Sequence, residues 1–327
     1  MRARIYLTQP VAASAMARLR AVADVTLNAD PLHIVTRDEL LTAAREHDII
    51  FCLLHDKIDA GVINANPKLK AIASMTITPA DIDIAAATAR RLPVTVIPAP
   101  LLNDATSDLA WALLMATARR VAEGDRLLRS GVFPGSQSSY MVGGGVSHKT
   151  LGLIGVGGVG GAMARRAYGF SMPVIYHDPR RLTAEMEQQL NARWVPFEQV
   201  FRDADFVLLH VQLTSQTRHL VDAAQLALMK PTAFLINTSR GPVVNEQALV
   251  DALKHKRLAG AGLDVYENEP RPHADLLRMD NVVCTPHVGS AIPELRESMA
   301  NVVVDNILAI LDGQRPPNCW NAEIYAR

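Results

Sequence analysis

The sequence predicts an α/β protein of two doubly wound, parallel-sheet (Rossmann-like) domains, and three observations carry that prediction. The N-terminal hundred residues alternate short β-branched runs with helical stretches, a pattern that implies parallel strands joined by helical crossovers. A second alternating array runs from Thr150 to about His287 and contains six candidate strands, the full count of a dinucleotide-binding domain. At its start, between Thr150 and Asp178, a strand, a glycine turn, a helix, a second strand and an acid follow one another. A chain of 327 residues is long enough for about two domains with cores of their own.

In the first array the strand candidates are Arg4–Thr8, Asp48–Leu54, Ala71–Met75 and Val94–Ile97. Helices are expected near Val11–Val22, Arg37–Glu46 and Ile82–Arg91, and Thr36 with Glu39 forms a capping box for the second. No glycine fingerprint occurs here, so this half lacks a dinucleotide site of its own. A single long helix is then expected from about Asp104 to Leu128. Its first half, Leu109 to Ala116, is apolar on every face and demands burial all round, between domains or against a second subunit. Residues Ser130 to Ser147, rich in Gly, Ser and Pro, read as a long loop.

The second array has strands at Leu151–Ile154, Val174–His177, Phe206–His210, Ala233–Asn237, Gly260–Asp264 and Val282–Cys284. A closing helix from Pro293 to about Leu311, with proline in its first turn, is expected to return to the N-terminal domain. The domains are thus residues 1–103 plus 293–327, and residues 104–292.

Within Gly155-Val156-Gly157-Gly158-Val159-Gly160, Gly155 permits a tight turn and Gly157 a close approach to a pyrophosphate. Gly160 lets the helix pack near the sheet, and the helix N-terminus offers N–H groups to phosphate. Asp178 follows Gly160 by 18 residues, where a carboxylate meets the ribose 2′-hydroxyl of NAD. Arg180 and Arg181 lie where a 2′-phosphate of NADP would sit, but Asp178 repels it; NAD is expected, with NADP as the alternative.

Charge and composition exclude other classes. The 33 Lys and Arg balance 33 Asp and Glu, with no basic stripe for nucleic acid or an anionic membrane surface. The three cysteines, Cys52, Cys284 and Cys319, read as reduced packing thiols, not as a disulfide frame or metal site. Neither a signal-peptide core nor a membrane-spanning run occurs, so a soluble cytoplasmic protein is expected.

Three strand ends carry polar residues: Asn237-Thr238-Ser239-Arg240-Gly241, Asp264 through Glu269-Pro270, and Thr285-Pro286-His287. Ligands bind at strand C-termini in open α/β sheets, so Arg240, Glu269 and His287 can converge beside a nicotinamide. Carbonyl reduction next to a carboxylate needs such a set. A histidine titrating near neutrality donates the proton, and an adjacent carboxylate stabilises its charged form. Arginine holds the substrate carboxylate with a planar fork that lysine lacks. Asp264 is placed to accept from the nicotinamide carboxamide.

These motifs, in this order, resemble those of the D-isomer-specific 2-hydroxyacid dehydrogenases across essentially the whole chain. Leu53-Leu54-His55-Asp56-Lys57-Ile58-Asp59, Leu228-Met229-Lys230-Pro231 and His287-Val288-Gly289-Ser290-Ala291 look most like the glyoxylate/hydroxypyruvate reductase branch. The resemblance implies a substrate-binding domain, an inserted NAD-binding domain, a cleft between them and a homodimer acting on a small 2-oxo or 2-hydroxy acid. The family's catalytic Arg, Glu and His map onto Arg240, Glu269 and His287. Its cofactor contacts map onto Gly155, Gly157, Gly158, Val159, Gly160, Asp178, His210, Thr238, Ser239 and Asp264. Where the branch has a Val-Gly pair whose N–H groups grip the substrate carboxylate, this chain has Ile77-Thr78, followed by Pro79 and Ala80. Because Thr lacks glycine's access to positive φ, the loop is expected to take another shape. That departure keeps a phosphite-type dehydrogenase on the same fold in view, and the fold's other uses add an NAD(H)-sensing corepressor or binding module.

Overall fold

In the computed structural model, which describes residues 2–326, every pairing between strands is parallel. The chain divides into two compact units, one of residues up to Leu101 together with those from Ala291 onward, the other Leu102–Ser290.

The first unit begins with β1 (Ala3–Leu7), α1 (Ala13–Val22), β2 (Ala23–Leu27), α2 (Arg37–Glu46) and β3 (Ile49–Cys52). It continues through α3 (Ala60–Asn64), β4 (Ala71–Ser74), α4 (Ile84–Ala89) and β5 (Val94–Thr95). The sheet order is β2-β1-β3-β4-β5, a doubly wound arrangement with the first strand inside. β3 and β4 are buried along their whole length, as strands covered on both faces must be. The Thr36–Glu39 capping box is present at the start of α2. β2 is a strand that the alternation does not reveal: it follows α1 without a single linking residue, so no turn signal separates them.

The second unit opens with α5 (Asn103–Ala118) and α6 (Val121–Arg129), followed by an irregular segment to Thr150. Then come β6 (Leu151–Ile154), α7 (Gly158–Tyr168), β7 (Val174–His177), α8 (Ala184–Gln189), β8 (Ala192–Trp194), α9 (Phe197–Asp203) and β9 (Phe206–Leu209). The rest is α10 (Ala223–Leu228), β10 (Phe234–Asn237), α11 (Glu246–Lys254), β11 (Gly260–Leu263) and β12 (Val282–Cys284). The sheet order β12-β11-β10-β9-β6-β7-β8 reverses direction at β6, so the loops after β6 and β9 part at the carboxyl edge. A crevice at such a switch point is where open α/β sheets hold ligands.

Three expectations need correction. The helix expected from Asp104 to Leu128 breaks in two: Arg120 takes a left-handed conformation, φ 54°. The carbonyl of Ala118 accepts from Gly144 N at 2.7 Å, so the returning loop takes the acceptor that would have continued the helix. No Gly or Pro marks this break, because its cause lies some 25 residues away in the chain. Second, α5 is not buried by another domain or subunit alone. Ala110, Leu113, Leu114 and Ala118 enter the core of its own unit, packing with Leu153, Phe206 and Ile236. Third, the sheet has seven strands, the extra one being β8. Its sequence, Ala192-Arg193-Trp194, is too short and too charged to announce a strand.

The final helix, α12 (Pro293–Leu311), packs on β4 and α1 of the first unit. Val303, Val304 and Ile307 are fully buried, and Arg18 meets Asp305 at 2.6 Å. Among the described residues no helix is long and apolar enough to cross a membrane. Beyond α12, buried Asn321 accepts from Val94 N and donates to Leu92 O, both at 2.9 Å, tying the C-terminal segment to β5. Asn321→Ala leaves both backbone groups buried without a partner. It should lower stability by about 2 kcal/mol in urea titration; an unchanged midpoint would contradict this reading of the contact.

Candidate active site

The glycine turn shapes one end of the carboxyl edge of the second unit. Gly155 ends β6 with φ 90°, and a side chain there would meet the His210 carbonyl at 2.7 Å. A side chain on Gly160 would collide with the Gly155 carbonyl, so only glycine lets α7 start this close to the strand. Around Gly157 nothing approaches within 4 Å of a Cβ position, which leaves open space before the first-turn N–H groups of α7. Asp178 follows β7; its Oδ2 accepts from Val156 N at 3.2 Å and its Oδ1 from Arg180 N at 3.0 Å.

Two further groups at the carboxyl edge fit a bound dinucleotide. His210 Nε2, after β9, and Thr238 Oγ1, after β10, are enclosed polar atoms with no partner among the described residues. Buried polar groups are normally satisfied, so a polar partner for His210, which lies against Gly155, and for Thr238 suits this edge. His177, by contrast, is packed between Trp194 and Phe197 with Nδ1 against Val195 O.

Arg240, Glu269 and His287 all lie at the carboxyl edge of the second unit, after β10, β11 and β12. Asn237 shapes the first loop: its Oδ1 accepts from Ser239 N and Oγ at 3.0 and 2.8 Å, and its Nδ2 donates to Arg240 O at 3.1 Å. Arg240 Nη1 donates to Ser239 O at 2.8 Å. Burial pushes the Arg240 pKa down and the charge of Glu269 pushes it back up, so the two sense one another directly.

Glu269 accepts from Tyr266 N through Oε1 at 3.0 Å, and its Oε2 lies 2.8 Å from His287 Nδ1. The two side chains remain 17% and 24% exposed, enough for the imidazole to be reached. His287 has φ 53°, an unusual conformation for a histidine and one that surrounding contacts must impose. Asp264 imposes it. This carboxylate, 1% exposed, accepts from Thr285 Oγ1 (2.7 Å), Val288 N (2.8 Å) and Gly289 N (2.9 Å). His287 N donates back to Asp264 O at 2.9 Å. Burial raises the Asp264 pKa while these donors lower it. Asp264 holds the histidine turn with three hydrogen bonds, two to Oδ1 and one to Oδ2, and Oδ2 keeps room to accept another.

Sequence reasoning missed a brace under the Glu269 loop. Buried Glu246, at the start of α11, accepts from Glu267 N at 2.7 Å and from His273 N at 2.6 Å. Glu267 in turn accepts from Glu246 N at 3.2 Å and meets His219 Nε2 at 2.5 Å. The only local signal was an acid in the first turn of a helix, which ordinarily reads as a dipole effect. Tyr266 was missed likewise; its hydroxyl shares its one proton between the carbonyls of Thr285 at 2.9 Å and Leu263 at 3.2 Å, joining the β11 and β12 ends.

Ile77 and Thr78 belong to the first unit, in the loop after β4. Both keep negative φ. Thr76 Oγ1 donates to Thr78 O at 2.9 Å and shares a hydrogen bond with Ser74 Oγ at 2.7 Å, so hydroxyls shape the turn that glycine would otherwise make.

Comparison with known proteins gives a consistent answer. The family described as D-isomer specific 2-hydroxyacid dehydrogenase, NAD binding domain, matches residues 111–289. The glyoxylate reductase of Thermococcus litoralis is 42% identical over 328 aligned residues, covering 99% of this chain and 98% of its own. A solved structure of a Thermus thermophilus protein superimposes with a TM-score of 0.87 at 37% identity, covering 97% of this chain and 99% of its own. The NADPH-dependent glyoxylate/hydroxypyruvate reductase of Sinorhizobium meliloti gives 0.81 at 30% identity, with 100% of each chain covered.

Burial lowers the His210 pKa from 6.5 to about 4, so the folded chain keeps this imidazole neutral. The unfolded chain takes up a proton as pH falls through about 6.5, and the folded chain only near 4. This contribution to stability is therefore complete above about 6.5 and lost as pH drops towards 4. His210→Gln should flatten that loss when urea midpoints are compared at the two ends of the range; an equal slope would contradict it.

Proposed function

Since the chain belongs to the D-isomer-specific 2-hydroxyacid dehydrogenases, we propose that it reduces a small 2-oxo acid, glyoxylate or hydroxypyruvate first, to the D-2-hydroxy acid. The 2.8 Å bond between Glu269 and His287, with half-buried Arg240 near enough to feel the Glu269 charge, carries this reading. Bound NAD(P)H supplies the hydride that reaches the carbonyl carbon. His287, its Nδ1 held by Glu269, presents Nε2 to give the carbonyl oxygen its proton. The Glu269 carboxylate stabilises the imidazolium from which that proton leaves, and fixes the ring's orientation. Arg240 pairs with the substrate carboxylate and polarises the carbonyl, using a guanidinium that burial makes eager for an anion.

The second unit serves as the NAD-binding domain and the first as the substrate-binding domain. Cofactor contacts fall to Gly155, Gly157, Gly158, Val159, Gly160, Asp178, His210, Thr238, Ser239 and Asp264, the last of which also holds the His287 turn. Asp178 favours NAD over NADP by offering a carboxylate to the ribose hydroxyls. The backbone of Ile77 and Thr78 takes part in holding the substrate carboxylate.

Assembly follows from exposed apolar surface. Val121, Leu128, Val132, Phe133 and Val142 are 46–72% exposed along α6 and the loop after it. Apolar side chains this exposed along one helix and its following loop are what a partner covers, and a homodimer is the simplest occupant. The three cysteines are all unpaired, which suits a reducing cytoplasm, and the balanced charge suits no nucleic-acid or membrane partner.

Purified chain should oxidise NADH, and NADPH less efficiently, with a series of 2-oxo acids of increasing size. No turnover with any of them would refute the assignment; NAD reduction driven by phosphite would favour the phosphite-type enzyme, and NADH-dependent capture of a partner protein without turnover the corepressor. His287→Ala and Arg240→Ala should each lose at least about a hundredfold in kcat/KM. Sedimentation equilibrium should give a dimer, and Phe133→Asp should shift it towards monomer; a monomeric parent chain would remove the assembly proposal.

A further inference from the structure

On the reading that the second unit binds NAD(P), we propose that Glu187 is a specificity-determining residue. By clamping Arg181, it withholds that guanidinium from a 2′-phosphate on the adenosine ribose.

The residues after β7 form one corner. Asp178 binds the glycine turn at Val156 N and the Arg180 N–H, as described above. Trp194, on β8, donates Nε1 to the Asp178 carbonyl at 3.3 Å, and the guanidinium carbon of Arg181 lies 6.0 Å from the centre of that indole. Arg181 is therefore held beside the acid that marks the ribose position. An arginine at this place is what accommodates the extra phosphate of NADP in folds of this class.

Here the arginine is already engaged. Its Nε donates to Glu187 Oε1 at 2.8 Å and its Nη2 to Oε2 at 2.9 Å, a two-point grip. Glu187 is itself pinned: Tyr176, fully buried, donates its hydroxyl to Oε1 at 2.7 Å and accepts from Leu182 N at 2.9 Å. These donors hold the Glu187 pKa down to about 2, so the clamp is charged at any working pH. Arg181 is 62% exposed and Glu187 15%, so a phosphate can reach the guanidinium but must displace the carboxylate to use it. Arg180 is exposed and has no side-chain partner among the described residues, but its own N–H is bound to Asp178, whose charge opposes a phosphate there. Asp178 and Glu187 cancel Arg180 and Arg181, so a doubly charged phosphate meets a neutral corner. Removing the Glu187 charge leaves the corner at +1 and frees one fork of donors.

The test is calorimetric binding to the full chain of ADP and of 2′,5′-ADP, which differ in where the second phosphate sits. Glu187→Gln should tighten 2′,5′-ADP about fivefold, the scale of one exposed ion pair, and leave ADP within about twofold. Arg181→Ala alone should change neither ligand by more than about twofold, yet abolish the gain when combined with Glu187→Gln. Tyr176→Phe, which loosens the clamp without removing its charge, should give a smaller gain of the same sign and stands in should Glu187→Gln not fold. No gain, an equal gain for both ligands, or a gain that survives Arg181→Ala would overturn the clamp. Failure of ADP to bind the parent chain would instead overturn the NAD(P) reading on which it rests.

Discussion

A buried carboxylate, Asp264, is the constraint on which the site depends. Its three hydrogen bonds to Thr285, Val288 and Gly289 fold the chain after β12 back on itself, and only in that fold does His287 adopt its positive φ. The imidazole is thereby delivered to Glu269, whose other oxygen is fixed by Tyr266 N. Without the turn, a histidine would have no reason to hold a conformation that costs of order 1 kcal/mol or more. Its stability is drawn from a desolvated acid satisfied by three donors, an arrangement that has few alternatives once formed.

The parallel sheet explains why such small devices suffice. Because every strand of the second unit runs in the same direction, the loops after β6, β9, β10, β11 and β12 emerge at one edge. Residues up to 132 positions apart, Gly155 and His287, need no special folding to face a common region. What remains is fine positioning, and the chain does this with short polar braces: Asn237 under Arg240, Glu246 under the Glu269 loop, Tyr266 across the β11 and β12 ends. The same logic recurs at the corner after β7, where Tyr176 and Trp194 fix a carboxylate and a guanidinium.

Much of this was legible in the sequence, and the misses have physical causes. The fold class followed from alternation, and β6, β7 and α12 have the boundaries that the β-branched runs and Pro293 indicate. The glycine turn was legible because steric exclusion at Gly155 and Gly160 leaves no other residue type. The break at Arg120, the strand β8 and the Glu246 brace were not legible. Each depends on a partner distant in sequence, and neither propensity nor periodicity encodes a partner's arrival. Asp264 illustrates the same limit within the site: its place suggested a ligand contact, but not the hydrogen bonds to Thr285, Val288 and Gly289 by which it also anchors the turn. The hydroxyl-shaped loop at Thr76–Thr78 could be suspected from the missing glycine, but not its form.

If Glu269 acts on the reaction through His287, its charge must be felt in the chemical step itself. That step is isolated by single-turnover hydride transfer from NADH to glyoxylate, followed by cofactor fluorescence, in Glu269→Gln beside the parent chain. Transfer should slow at least about tenfold with NADH affinity unchanged, since the amide keeps the shape and loses the charge. A single-turnover rate equal to that of the parent would contradict the coupling of the two residues.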